Sequence, residues 1–151
     1  MTNGNADGRD DEAVLNAVGP AFSRLRRRTP SSGKDLSRNL VLNVVAERTG
    51  ETTVGAVAEE LGTDQSVASR MVSDCIQQGY LLREASQQDG RRTVLRLTPD
   101  GDALRDRFAT EQRRSFERIT RDWPGEERLR FARLLVTYAE DAASLRKQER
   151  S

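Results

Sequence analysis

The sequence contains no histidine and a single cysteine, Cys75, in 151 residues. Without histidine, the usual zinc sites and histidine-dependent acid–base catalysis are excluded. One cysteine cannot form an internal disulfide, so a reducing cytoplasm is the expected setting. Aromatic residues amount to 5% and hydrophobic residues to 35%, enough for one sizeable core and too little for a second enzyme-sized domain. No window approaches the roughly 18 consecutive apolar residues of a membrane span. The opening "MTNGNADGRDDE" also lacks the basic-then-apolar order of a signal peptide. A soluble protein with no membrane partner and no cofactor is expected, and an enzyme is not. There is no phosphate-binding glycine loop, and no pair of carboxylates sits at an apolar pocket signature.

Charge is abundant at 32% of residues yet nearly balanced, with a net of +1. Its distribution is more telling than its sum. Residues 1–12 hold four acids against Arg9, and residues 13–52 hold seven bases against three acids. Residues 53–98 hold five arginines and six acids. Three of those arginines, Arg91, Arg92 and Arg96, fall close together, so any anion affinity there depends on where they sit.

From Ala13 to Arg28, Leu15, Val18, Phe22 and Leu25 recur every three or four residues, the spacing of one helix face. Gly19-Pro20 implies a kink or a late start. "TPSSGKD" reads as a loop, with Ser32 or Asp35 as cap, before a second helix marked by Leu36, Leu40, Val41, Val44 and Val45. A short helix carrying Val54, Val57, Ala58 and Leu61 stops at Gly62. Asp64 is placed to cap the next helix, whose inward face is Ala68, Met71, Val72 and Cys75. This is a helix-turn-helix pattern. After Gly79, "YLLREAS" and "RTVLRLT" have strand content, and "QQDGR" between them reads as a hairpin loop with a turn-favouring Asp-Gly pair.

Thr98 and Pro99 can then start a long helix to Ile119, with Leu104, Phe108, Phe116 and Ile119 inward, which "DWPG" ends. The last helix carries Phe131, Leu135, Tyr138, Ala142 and Leu145 in a four-three alternation, a heptad-like seam. These end helices have too little core to stand alone. Pairing of two chains through Leu15, Val18, Phe22, Phe131, Leu135, Tyr138, Ala142 and Leu145 accounts for them, the other reading being an intrachain hairpin packed on the central unit. The fold class is mainly α, or α+β: a winged helix-turn-helix with a two-stranded wing plus N- and C-terminal dimerisation helices.

At this point the sequence resembles the multiple-antibiotic-resistance regulator (MarR) family of bacterial transcription factors, over roughly residues 13–147. The resemblance is carried by Ser69-Arg70 in the second helix of the pair, Gly79-Tyr80-Leu81 at its end, Asp89-Gly90-Arg91 in the wing and Leu97-Thr98-Pro99-Asp100-Gly101 opening the long helix. One departure is Asp74, where relatives often carry a basic residue. The implied organisation is a flexible acidic tail (1–12), an N-terminal dimerisation helix and loop (13–34), a DNA-binding winged helix (35–98) and C-terminal dimerisation helices (99–151). The implied activity is that of a homodimeric regulator on a pseudo-palindromic double-stranded DNA operator, a repressor released by a small aromatic or phenolic effector. The alternative is a winged-helix protein-interaction module without sequence-specific readout.

The resemblance puts one helix in the major groove and the wing tip in the adjacent minor groove. Gln65, Ser66, Val67, Ser69 and Arg70 share the outward face of that helix, where glutamine suits adenine, arginine suits guanine and Val67 suits a thymine methyl. An ion pair of Arg70 with Asp74, one turn on, is the competing use of that arginine. At the tip, Asp89, Gly90, Arg91 and Arg92 form the wing contact. Arg91 suits a narrow, negative minor groove, aimed by a salt bridge from Asp89, and Arg92 suits a phosphate. Arg24, Arg26, Arg27 and Arg28 read as a solvated basic face, and Cys75 as a small core residue rather than a redox sensor. Phe22, Arg26 and Trp123 stand as effector-site candidates, but the same spacing describes core and surface, so no ligand is assigned.

Overall fold

The computed structural model describes residues 4–27 and 33–149, with side chains for residues 10–25, 35–146 and 148–149. The described residues form α1 (Gly4–Arg27), α2 (Gly33–Glu47), α3 (Val54–Leu61), α4 (Gln65–Gln77), β1 (Leu81–Ala85), β2 (Thr93–Leu97), α5 (Pro99–Ile119) and α6 (Gly125–Glu149). The two strands pair antiparallel, with Leu81 opposite Leu97 and Ala85 opposite Thr93. Thr52, just before α3, adds a single bridge to Leu95, and its carbonyl accepts the Leu95 N–H at 2.8 Å.

The core is the inner face of a three-helix unit closed by the strands. Val41 and Leu42 of α2, Val57 and Ala58 of α3, and Ala68, Val72 and Cys75 of α4 meet Leu81, Leu95 and Leu104. No residue of α1 or α6 with a described side chain is buried. Sharp helix ends give this unit its shape. Gly62 (φ 61°) and Gly79 (φ 78°) take the left-handed conformation that a Cβ disfavours. Each ends its helix with the paired 6→1 and 5→2 bonds of a Schellman motif: Thr63 N–H to the Ala58 carbonyl and Gly62 N–H to that of Glu59, then Tyr80 N–H to Cys75 and Gly79 N–H to Ile76. α3 is capped by Thr53, whose hydroxyl oxygen accepts the Ala56 N–H at 3.2 Å.

Four expectations need correction. α1 begins at Gly4, not Ala13, and runs through Pro20, so residues 4–12, expected as a tail, are helical. Acids near the positive end of a helix dipole favour that extension. α2 begins at Gly33, which puts Asp35 inside its first turn, not at a cap, and Ser32 lies outside the described residues. Asp64 holds the N-cap position of α4 but makes no side-chain capping bond. Ile119, expected inward at the end of α5, is 71% exposed.

Candidate nucleic-acid interface

α4 lies with Ala68, Val72 and Cys75 fully buried, and that burial fixes which side chains point away. Ser66 and Arg70 are exposed, and Ser73 and Gln77 extend the same stripe down the helix. Sequence reasoning misses these last two, although their positions three or four residues on from Arg70 and Ser73 are signal enough. Ser69 and Val67 are half-buried, so Val67 sits at the side of the stripe rather than on it. Gln65 is exposed, with its amide beside Gly55 of α3, 3.5 Å from where a Cβ on that glycine would lie.

Arg70 makes no ion pair with Asp74. That carboxylate is held by Arg38 of α2, whose Nε donates to Oδ2 at 2.6 Å and whose Nη2 donates to Oδ1 at 3.2 Å. The fork is bidentate, and the remaining Nη1 donates to Asp35 at 3.1 Å. Arg38 also stands over the Tyr80 ring, 6.0 Å from its centroid. The hydrogen bond to Asp74 drives the guanidinium pKa further above its ordinary value, so Arg38 is charged at any working pH. The acidic departure at position 74 is thereby neutralised from behind, and Arg70 is left to solvent.

The wing tip spans residues 86–92. Asp89 does not aim Arg91 through a salt bridge, as expected. Its carboxylate Oδ1 accepts the backbone N–H of Arg91 at 3.1 Å, and its carbonyl accepts the N–H of Arg92 at 2.9 Å. A short carboxylate two residues back suits that job, an Asx-type turn, better than reaching a long mobile guanidinium. Gly90 is exposed and is not among the positive-φ glycines, so the Asp-Gly pair does not form the tight two-residue turn that its composition suggests. Arg91 and Arg92 are exposed at the tip, whereas Arg96 pairs with Glu84 at 3.2 Å on the strands.

The base of the tip is anchored by a residue that no sequence motif singles out. Glu51, in the α2–α3 connection, accepts the Ser86 hydroxyl at 2.5 Å and the Gln87 N–H at 2.8 Å. The Ser86 bond, with help from the backbone N–H groups and Arg92, holds the Glu51 carboxyl below its ordinary pKa.

On the inner side of α4, Cys75 is fully buried, and burial reinforced by the Asp74 charge pushes its thiol up to about 11. The neutral thiol is a poor nucleophile. Alkylation by iodoacetamide at pH 8 is therefore expected to be slow in the native protein and fast in denaturant. Equal rates would place Cys75 at the surface.

Residues 35–92 match the family model described as "MarR family". That stretch runs from the first turn of α2 to the wing tip, and its likeness is to the MarR family. No curated protein matches the sequence. Solved structures match over nearly its whole length: a MarR family transcription regulator at 17% identity covers 95% of this chain and 99% of its own, with a TM-score of 0.68. A MarR family protein from Bacillus stearothermophilus, at 16% identity, covers 94% and 99% with a TM-score of 0.62. The PcaV transcriptional regulator from Streptomyces coelicolor, at 24% identity, covers 89% and 98% with a TM-score of 0.54, and has also been solved in complex with its natural ligand. At these identities the likeness is one of fold.

The end helices leave a broad apolar surface. Leu15, Val18, Phe131, Leu135, Tyr138 and Leu145 are all exposed, Leu15 at 71%, while Phe22 and Ala142 are half-buried. α1 and α6 meet where the Phe22 and Tyr138 rings stack with centroids 5.6 Å apart. Of the effector-site candidates, Trp123 lines a cavity of about 500 Å³ bounded by Leu25, Phe108, Phe116, Ile119, Phe131 and their neighbours on α5 and α6. Phe22 is engaged with Tyr138. The side chains of Arg26 and Arg27, and Arg28 altogether, lie outside the described residues; Arg24 is exposed. Among the described residues no helix is long and apolar enough to cross a membrane.

Proposed function

We propose that this protein is a MarR-type transcriptional regulator working as a homodimer in a bacterial cytoplasm, binding a pseudo-palindromic DNA duplex and repressing transcription until a small aromatic or phenolic molecule releases it. The observation that carries the reading is that one winged helix leaves two features open to solvent: Ser66 and Arg70 on α4, with half-buried Ser69 between them, and the Arg91–Arg92 tip. Side chains on a helix of this width suit a major groove, and an arginine at a hairpin tip suits the narrow groove beside it. The pairing of Asp74 with Arg38 offsets the acidic departure on α4, which would otherwise count against contact with a phosphate backbone.

The dimer accounts for the apolar seam on α1 and α6, which is far larger than scattered surface residues require. Two-fold pairing would set two winged helices about one turn of DNA apart. An effector would occupy the apolar cavity beside Trp123, between the C-terminal half of α5, the end of α1 and α6. The ligand-bound PcaV structure lends support to such control.

Affinity for random-sequence duplex, measured between 50 and 200 mM salt, tests the electrostatic half of the reading. With six or more phosphate contacts per dimer, binding is expected to weaken roughly 10³-fold across that range. Binding that ignores salt would instead favour a protein partner.

A further inference from the structure

Asp89 shapes the wing tip but does not fix how the tip is tilted against α4. A two-stranded hairpin has little stiffness of its own. A relay of hydrogen bonds to the wing starts outside it, on Glu51. Its two carboxylate oxygens accept the Ser86 hydroxyl at 2.5 Å and the Gln87 N–H at 2.8 Å. The Ser86 oxygen in turn accepts the N–H groups of Gln88 at 3.1 Å and Asp89 at 2.9 Å. Ser86 is buried, and so is Thr52, the residue after Glu51, which is bonded to Leu95 of β2. Glu51 is therefore rooted on the core side and grips the tip at its first residues.

We infer that Glu51 is a positioning residue for DNA binding: it sets where Arg91 and Arg92 are delivered relative to the Ser66–Ser69–Arg70 stripe, through Ser86 and without contacting DNA itself. The inference rests on the DNA-binding reading above. It runs against simple electrostatics. A carboxylate near a phosphate backbone repels it, so charge alone predicts that removing Glu51 tightens binding. The relay predicts the reverse, because losing a fixed wing geometry outweighs losing one partly solvated charge.

The test uses the full chain and a single duplex carrying its selected site, with fluorescence anisotropy for affinity and circular dichroism for folding. Glu51→Ala is expected to weaken binding about tenfold, less than removal of the wing arginines themselves. Glu51→Gln keeps an acceptor for the Gln87 N–H and is expected to recover most of that loss. In an Arg91→Ala/Arg92→Ala background, Glu51→Ala is expected to cost less than about twofold more, whereas with Arg70→Ala its effect is additive. Ser86→Ala, which breaks the relay while keeping the Glu51 charge, is expected to match Glu51→Ala, and it stands in should that variant fail to fold. Tighter or unchanged binding by Glu51→Ala, or its full effect in the arginine-free background, overturns the inference. A parent protein that binds no duplex refutes the DNA-binding reading as well, which separates the two failures.

Discussion

Alanine at Arg91 is expected to weaken binding to the cognate duplex by about 30-fold or more, with folding and dimerisation unchanged. One arginine contact in a groove contributes about 1–3 kcal/mol, and a dimer places two of them, so a loss of at least about 2 kcal/mol follows. The side chain is exposed at the tip, so truncating it removes no core packing and leaves no buried group unsatisfied. What it removes is reach into the groove, where a narrow, A·T-rich minor groove concentrates negative potential. Loss of affinity should therefore be largest on duplexes whose flanking segments are A·T-rich. Arg92→Ala, if that residue meets a phosphate, should act more uniformly across sequences and lower the salt slope by about 1. Anisotropy titrations of both variants on two duplexes differing only in the flanks separate the two roles. Parent-like binding by Arg91→Ala would remove the wing from the interface.

Gly101→Ala is expected to destabilise the fold by about 3 kcal/mol or more, the upper end for overpacking, and to lower the melting temperature by roughly 6–12 °C. A Cβ at Gly101 would stand 2.2 Å from the Tyr80 carbonyl oxygen and 3.1 Å from Leu97 Cδ2. The first obstacle is backbone, which cannot swing aside. It is also part of the joint between α4 and α5. Thr98 donates its hydroxyl to the Gly79 carbonyl at 2.6 Å and accepts the Gly101 N–H at 3.1 Å. Its own N–H donates to the Tyr80 carbonyl at 3.1 Å. The Leu97-Thr98-Pro99-Asp100-Gly101 motif thus welds the start of α5 to the end of α4, and the glycine is what allows the approach. Displacing α5 there would also change the angle at which a dimer holds its two winged helices. A melting temperature like that of the parent would show that the joint is looser than this geometry implies.

Local signals make the winged helix legible in the amino-acid sequence. Gly62, Gly79 and Thr98 mark ends that depend on backbone conformation and nearest-neighbour bonds, and each ends or caps a helix where its residue type predicts. The inward face of α4 is legible for the same reason, since Ala68, Val72 and Cys75 share one helical face and are fully buried. The polar ties are not. Arg38 reaches Asp74 across 36 positions and Glu51 reaches Ser86 across 35; such pairs leave no period and no local motif. On α4 alone, Asp74 reads as a partner for Arg70 or a flaw in a DNA-facing helix, because nothing nearby in the chain points to Arg38. Asp89 has the right charge to pair with the Arg91 side chain, yet the nearer backbone N–H claims it. The first turns of α1 carry few apolar residues to reveal a helix period, and so read as a tail.

Selection from a pool of random duplexes at physiological salt, followed by sequencing, tests the central claim most directly. A two-fold dimer with one recognition helix per half-site predicts an inverted repeat whose half-sites are centred about one helical turn, roughly 10 base pairs, apart, with A·T-rich flanks under the wings. A pool that stays unenriched, with the protein folded and dimeric, would contradict sequence-specific recognition by this winged helix.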